Sequence, residues 1–298
     1  MSLTSFVAMP DVIAKIKPLR PKVRKHGAAL KVEPRSKRYT LIGAAFDYLL
    51  RFELQRRVPR VTVKRWVAEW APDMICSEFG TAKPLDLLVG VPPEQYIAPE
   101  EVAERMRTLL LNAQAALAEY RKAKNPTAAQ RSELAAHAIR LAKLDSVYRA
   151  QKLEPTFEEA KPEDVEELTA LLALVPLNIF ADAKPLLLNP TFGKASALVG
   201  GADADVIAGD LLTDIKTTKS DEIEGKHLDQ LFGYLLLARK HRTTEATFPE
   251  IKRLGIYYTR HGYLWTQDVS VWTGHADFPA VEEWFLNRAT EVFSPAKV

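Results

Sequence analysis

The apolar positions of this chain keep one period along its first half and another along its second. From Thr40 to Arg57, TLIGAAFDYLLRFELQRR spaces them helically and predicts a core helix that Pro59 ends. VTVKRWVAEWA (61–71) predicts a short second helix with Trp66 and Trp70 on one side, and the Pro- and Gly-rich stretch 72–97 reads as irregular. Two long helices follow, from Pro99 to about Lys124 and then to about Lys152, with Asn125 or Thr127 in NPTAAQ as the cap between them. They predict an antiparallel Ala/Leu-rich hairpin whose charges are solvated faces. A further helix, about 162–174, starts in KPEDVEELTALLAL with acids in its first turn, where the helix dipole favours them.

Beyond Lys184 the texture changes to short apolar runs separated by Gly, Pro and Asn. KPLLLNPTF, SALVGGADADVIAG and DLLTDIKTT each read as strands. GKHLDQLFGYLLLARKH (225–241) returns to helical spacing, with the stripe Leu228, Leu231, Phe232, Leu235 and Leu236. KRLGIYYTRHGYLWTQDVSVW (252–272) reads as a hairpin turning at His261-Gly262, and FPAVEEWFLNRATEVF (278–293) as a closing helix. The order predicts an α/β (α+β) fold with one central mixed sheet flanked by helices.

One of these hairpins carries acids among its apolar residues. In GGADADVIAGDLLTDIKTTKS (200–220), Gly209-Asp210 suits a two-residue turn, glycine supplying the positive φ. That register sets Asp205 opposite Asp214 and Asp203 opposite Lys216, with all four side chains on one face. Two carboxylates facing each other across strands repel. A divalent cation between them removes the conflict, since Mg²⁺ is commonly held by one or two carboxylates plus phosphate oxygens. Asp203 shares the face, but register favours Asp205. Lys216, on the same face, is placed to hold a water or to stabilise charge developing on a phosphate. Gln230 and Tyr234 share one face of the following helix. His227 reads as a surface histidine, and Asn189-Pro190 as a turn.

Charge adds a partner class. The chain has 298 residues, 41 Lys and Arg, 38 Asp and Glu, and a net charge of +3. Ten of the basic residues but only Asp11 and Glu33 of the acids lie in residues 1–40, so that stretch predicts a basic arm and the remainder is net acidic. Such an arm suits a polyanion, and its Lys22, Arg24 and Lys25, with Lys219, Arg239, Lys240 and Arg242, are the candidate phosphate contacts. The one cysteine, Cys76, rules out an internal disulfide, and no Cys/His cluster suggests zinc. With no apolar run of membrane-spanning length and no secretory-signal pattern, the expectation is a soluble cytoplasmic protein with no membrane partner.

Asp205, then Asp214-Ile215-Lys216, then Gln230-Leu231-Phe232-Gly233-Tyr234 resembles the PD-(D/E)XK nuclease superfamily, and most closely its RecB-type branch, which carries Q-x-x-x-Y on the helix after the catalytic hairpin. The likeness is clear over about residues 186–260. It implies a restriction-endonuclease-like core, here one domain over 41–298 with a helical insertion at about 98–152, and Mg²⁺- or Mn²⁺-dependent hydrolysis of phosphodiesters. It also implies that Asp205 and Asp214 hold the metal, that Lys216 is the catalytic lysine, and that Gln230 and Tyr234 belong to the site. In the helix beginning LIGAAFDYLL, RecB-type enzymes often carry a glycine and, four residues on, a metal-holding histidine. This chain has Gly43 and Asp47 there, with Glu53 as the fallback, and an ordinary helix acid is an equal reading for either.

The resulting expectation is a DNA nuclease in DNA processing, recombination or defence, with RNA left open as a substrate and the helical hairpin left open as a surface for a protein partner. A catalytically silent nucleic-acid-binding or scaffold protein on the same fold is the competing class. A nucleotide phosphohydrolase is a third, although no G-x-x-x-x-G-K-[ST] phosphate loop is present.

Overall fold

The computed structural model describes residues 2–62, 64–78 and 98–293 of the chain. The chain divides into two compact units, Met1–Lys31 with Pro176–Val298, and Val32–Val175. The boundaries therefore fall on either side of an all-helical stretch, and not at residue 40.

Val32–Val175 contains the helices Tyr39–Arg57, Ala71–Glu78, Pro99–Lys122, Ala128–Ala150 and Pro162–Ala173. Thr127 caps the Ala128–Ala150 helix, its hydroxyl accepting the Gln130 N–H while Gln130 reaches back to the Thr127 N–H. Residues 67–70 form a 3-10 turn in place of the expected helix over 61–71, and the α-helix begins only at Ala71. The two tryptophans part there, Trp66 buried and Trp70 exposed with Arg65 over its ring. The rest of the stretch expected to be irregular, 79–97, lies outside the described residues. Polar contacts tie this unit together: Tyr48 donates to Asp145 at 2.6 Å and Tyr120 to Glu53 at 2.7 Å.

The other unit is built on a five-stranded sheet in the order β1 (Leu186–Leu188), β2 (Val206–Ala208), β3 (Leu211–Lys216), β4 (Arg253–Tyr258), β5 (Tyr263–Asp268). β1, β2 and β3 form an antiparallel meander, β4 runs parallel to β3, and β5 returns antiparallel to β4. A parallel neighbour demands a crossover, and the Gly225–Arg242 helix supplies it. The β2–β3 pairs Val206–Thr213, Ile207–Leu212 and Ala208–Leu211 follow the predicted register, and Gly209 takes φ +64° in the turn. In the β4–β5 hairpin Gly262 takes φ +55° at the predicted turn. Residues 194–197, of which 196 and 197 open a run expected to be a strand, form a short helix.

Leu212, Leu254, Ile256 and Tyr258 share one core with Leu228, Leu231, Phe232, Leu235 and Leu236 of the crossover helix. The helix has a second apolar neighbour. Leu3–Val7 and Pro10–Ile16 are helices whose Leu3, Phe6, Val7, Val12 and Ile16 are buried in the same core. A Cβ on Gly233 would sit 2.7 Å from a methyl of Leu3, so the glycine admits this close approach. The first part of the basic segment is thus core, where an arm was expected.

Candidate functional site

Alternation along β3 places Leu212, Asp214 and Lys216 on one face. The parallel register sets them beside Leu254, Ile256 and Tyr258. The face is apolar at its start and ionic at its carboxyl end, where Gln230 and Tyr234 of the crossover helix meet it. The Nζ of Lys216 lies 2.7 Å from the Asp214 carboxylate and donates to Gln230 Oε1 at 2.9 Å. Gln230 in turn donates from Nε2 to the Tyr234 hydroxyl at 3.0 Å. The Lys216 ammonium can only donate, so it sets the Gln230 amide with its oxygen toward the lysine and its nitrogen toward the Tyr234 hydroxyl.

Asp205 joins through the backbone. Beyond Val206 the chain leaves β3 and follows the extension of β1: Asn189 N–H donates to the Asp205 carbonyl at 2.9 Å, Ala204 N–H to that of Pro190 at 3.1 Å, and Thr191 bridges Asp203. The Asp205 carboxylate then takes the Ile215 N–H, at 2.6 Å, that the departing strand leaves. The β2–β3 ladder stops at Val206, so Asp205 does not pair with Asp214 across it as expected; its carboxylate is held at the amide that follows Asp214. Asp203 is not opposite Lys216 in the ladder. It is turned to Thr191 and Asn189, whose Nδ2 lies 3.5 Å from its carboxylate.

The charges explain how the group coexists. Asp214 is 3% exposed, and burial lifts its carboxyl above the usual range despite the Lys216 ammonium. Burial alone would lower Lys216; the charges of Asp214, Asp205 and Glu224 outweigh it and raise the ammonium above its ordinary value. Burial, then the fields of Asp214, Asp205 and Asp203, push the Tyr234 hydroxyl well above its ordinary value. The lysine is therefore a cation at neutral pH, held among acids.

Other expected residues have partners of their own. Asp47 belongs to the helical unit and pairs with Arg51 at 2.6 Å, one turn along its own helix. Glu53, read as a possible exposed acid, is buried and bound by Arg56, Arg57 and Tyr120. His227 is buried and not on the surface; burial and the neighbouring Lys216 charge lower its pKa to about 4, so it is neutral. Arg239 makes two hydrogen bonds to Glu282 and Arg242 lies 3.9 Å from Glu250, because the crossover helix ends among acids. With Lys240 they line a cleft of about 850 Å³ that also holds Glu283, a mixed surface and not a phosphate track.

Lys22, Arg24, Lys25 and Lys219 are exposed beside the segment that links Lys216 to the crossover helix. Arg24 accepts the Ile223 N–H at 2.8 Å, and Lys25 lies 3.3 Å from Asp221. Arg20, which the sequence reading passed over, fixes this strap by a two-pronged pair with the buried Asp229 carboxylate, its guanidinium lying over Gly225. Among the described residues no three His, Cys, Asp or Glu side chains converge as a ready-made metal site, and no helix is long and apolar enough to cross a membrane. No family model, curated protein or solved structure matches the chain.

Proposed function

We propose that this chain is a Mg²⁺- or Mn²⁺-dependent nuclease acting on DNA, with a restriction-endonuclease-like core of the PD-(D/E)XK type. One observation carries the reading: Asp214, Lys216, Gln230 and Tyr234 form a continuous contact chain at the carboxyl end of β3, with Asp205 tied to the next backbone amide. Residues separated by up to 29 positions in the sequence, each expected in one site, meet there.

The donors fit a hard cation. Asp205 and Asp214 offer carboxylate oxygens, and the charge of the buried Asp214 is offset by the Lys216 ammonium. These two residues would hold the metal, with substrate oxygens completing its shell. When bound, the cation supplies Lewis acidity and a more acidic water. The protein's own groups do the rest. Lys216, kept protonated, aims positive charge at a phosphate in the transition state instead of removing a proton. Gln230 fixes the direction of that ammonium, and Tyr234 fixes Gln230. Lys22, Arg24, Lys25 and Lys219 supply phosphate contacts along the adjoining strap.

The scaffold reading draws on the lack of a three-donor cluster among the described residues. Purified chain incubated with linear, circular and single-stranded DNA and with RNA, in Mg²⁺, Mn²⁺ or EDTA, separates the two. DNA cut only with a divalent ion supports the nuclease; intact nucleic acid in every lane supports the scaffold.

A further inference from the structure

The strap that runs from Arg20 to Lys31 is pinned at two places of different chemistry. At Arg20 it is held by the pair with Asp229, whose carboxyl burial raises above its ordinary value against the pull of the guanidinium. At His26 it is held by an imidazole. The His26 ring lies 4.3 Å from the Tyr258 ring, 5.1 Å from Tyr263 in a stacked arrangement, and 4.6 Å from His261, edge to face. Backbone hydrogen bonds follow the ring: His26 N–H to the Asp221 carbonyl at 3.0 Å and Lys31 N–H to the Arg260 carbonyl at 2.9 Å.

The protonation state of this pin is legible. Ala28 N–H donates to His26 Nδ1 at 3.1 Å, so Nδ1 carries a lone pair and the imidazole is neutral. A second proton has to enter at Nδ1 and break that bond. His261 is 1% exposed, and its buried Nδ1 has no hydrogen-bond partner among the described residues. Two imidazoles in ring contact cannot both become cations without repulsion.

We infer that His26 and His261 form an acid-released latch, which keeps the strap on the segment between Lys216 and the crossover helix at neutral pH and lets it go in mild acid. The groups around the latch decide its sign. For His26, burial and the facing His261 oppose charge, while Asp221 and the Ser220 backbone favour it. For His261, burial, Arg260 and Lys31 oppose charge and Asp221 favours it. Burial raises the Tyr258 hydroxyl above its ordinary value, so that ring adds no charge to the latch. Both imidazoles titrate below their ordinary value in the folded chain. The latch therefore holds fully above about pH 6.5 and loses stability as pH falls below it, because the released state takes up protons more readily.

The latched segment includes Asp221, Ile223 and Glu224, and Glu224 is one of the charges that sustain the Lys216 ammonium. That release would disorder the catalytic end rests on the nuclease reading; the latch itself does not. Hydrogen exchange on the full chain tests it without any activity assay. Protection factors, which already correct for the intrinsic pH dependence of exchange, should fall at least tenfold for the amides of His26, Lys31 and Ile223 between pH 7.5 and 5.5. Those of the β3–β4 ladder should not. His26→Gln keeps an acceptor for Ala28 without titrating, and His26→Phe keeps the ring; either variant that folds should shrink the fall, and adding His261→Gln to a folded variant should abolish it. Equal strap protection at both pH values, or the same fall in the variants, would overturn the latch whether or not the protein cuts DNA.

Discussion

Replacing Lys216 with methionine removes a charge and nearly keeps a shape. It leaves Asp214, 3% exposed, without the ammonium 2.7 Å away, and leaves Asp205 beside it. Breaking a buried pair from one side costs about 3–5 kcal/mol. The Lys216 side chain is 22% exposed, so the low end, about 3 kcal/mol, applies here. At about 2–3 °C per kcal/mol for a chain of this size, the melting temperature should drop by roughly 6–9 °C without metal. A second effect has the opposite sign. The ammonium competes with a divalent cation for the same carboxylate, so Lys216→Met should bind Mn²⁺ at least tenfold more tightly and regain more melting temperature from it than the wild type does. Cleavage should nevertheless vanish. Thermal melts across a Mn²⁺ titration, beside a cleavage assay, read all three quantities. A variant as stable as the wild type, or one whose Mn²⁺ affinity is unchanged or weaker, would refute the shared-carboxylate reasoning. The pH dependence follows from the raised Lys216 value: its stabilisation is present below about pH 10.4 and is lost as pH rises through the still higher folded value.

Two further outcomes follow from the contact chain and the strap. Gln230→Ala removes two hydrogen bonds and Tyr234→Phe one, so they should cost only about 2 and about 1 kcal/mol in denaturant melts. Turnover should fall at least tenfold in both, and near wild-type turnover would mean the relay does not orient Lys216. Changing Lys22, Arg24 and Lys25 together to Ala should weaken DNA binding and reduce the slope of log affinity against log salt by about 2–3, at roughly 0.9 per phosphate contact. An unchanged slope would take the strap out of the interface. Deleting residues 1–19 is not an equivalent experiment, because Phe6, Val12 and Ile16 are core.

Where one local rule governed, the sequence was enough. The Gly209 turn fixed the β2–β3 register from Val206 to Thr213, although Asp205 lies past its end and reaches the Ile215 amide by its side chain. Alternation put Lys216 with Asp214, and helical spacing put Gln230 with Tyr234. What was missed depended on partners far along the chain. Ten basic residues masked Leu3, Phe6, Val7, Val12 and Ile16, which are spaced for a helical face but need the Gly233 surface to show what they cover. Arg239 read as a free cation because Glu282 is 43 positions along the chain, and Arg242 because Glu250 lies past the helix end, where helical spacing no longer pairs residues. His227 read as exposed because nothing local announces that Lys216 and the sheet end cover it. Asp203 failed for another reason. A strand that changes partner at Val206 carries no mark of it beyond the Gly-Gly before Ala202, and alternation was extended past the point where the ladder stops.

The central claim is that Asp205 and Asp214 hold a divalent ion for phosphodiester hydrolysis. Its most direct test is cleavage of DNA by the wild type and Asp214→Asn, assayed side by side in Mn²⁺ and in EDTA with both proteins checked for folding. The account predicts cutting by the wild type in Mn²⁺ alone and none by the folded variant. A folded Asp214→Asn that still cuts, or a wild type that leaves DNA intact in Mn²⁺, would contradict it.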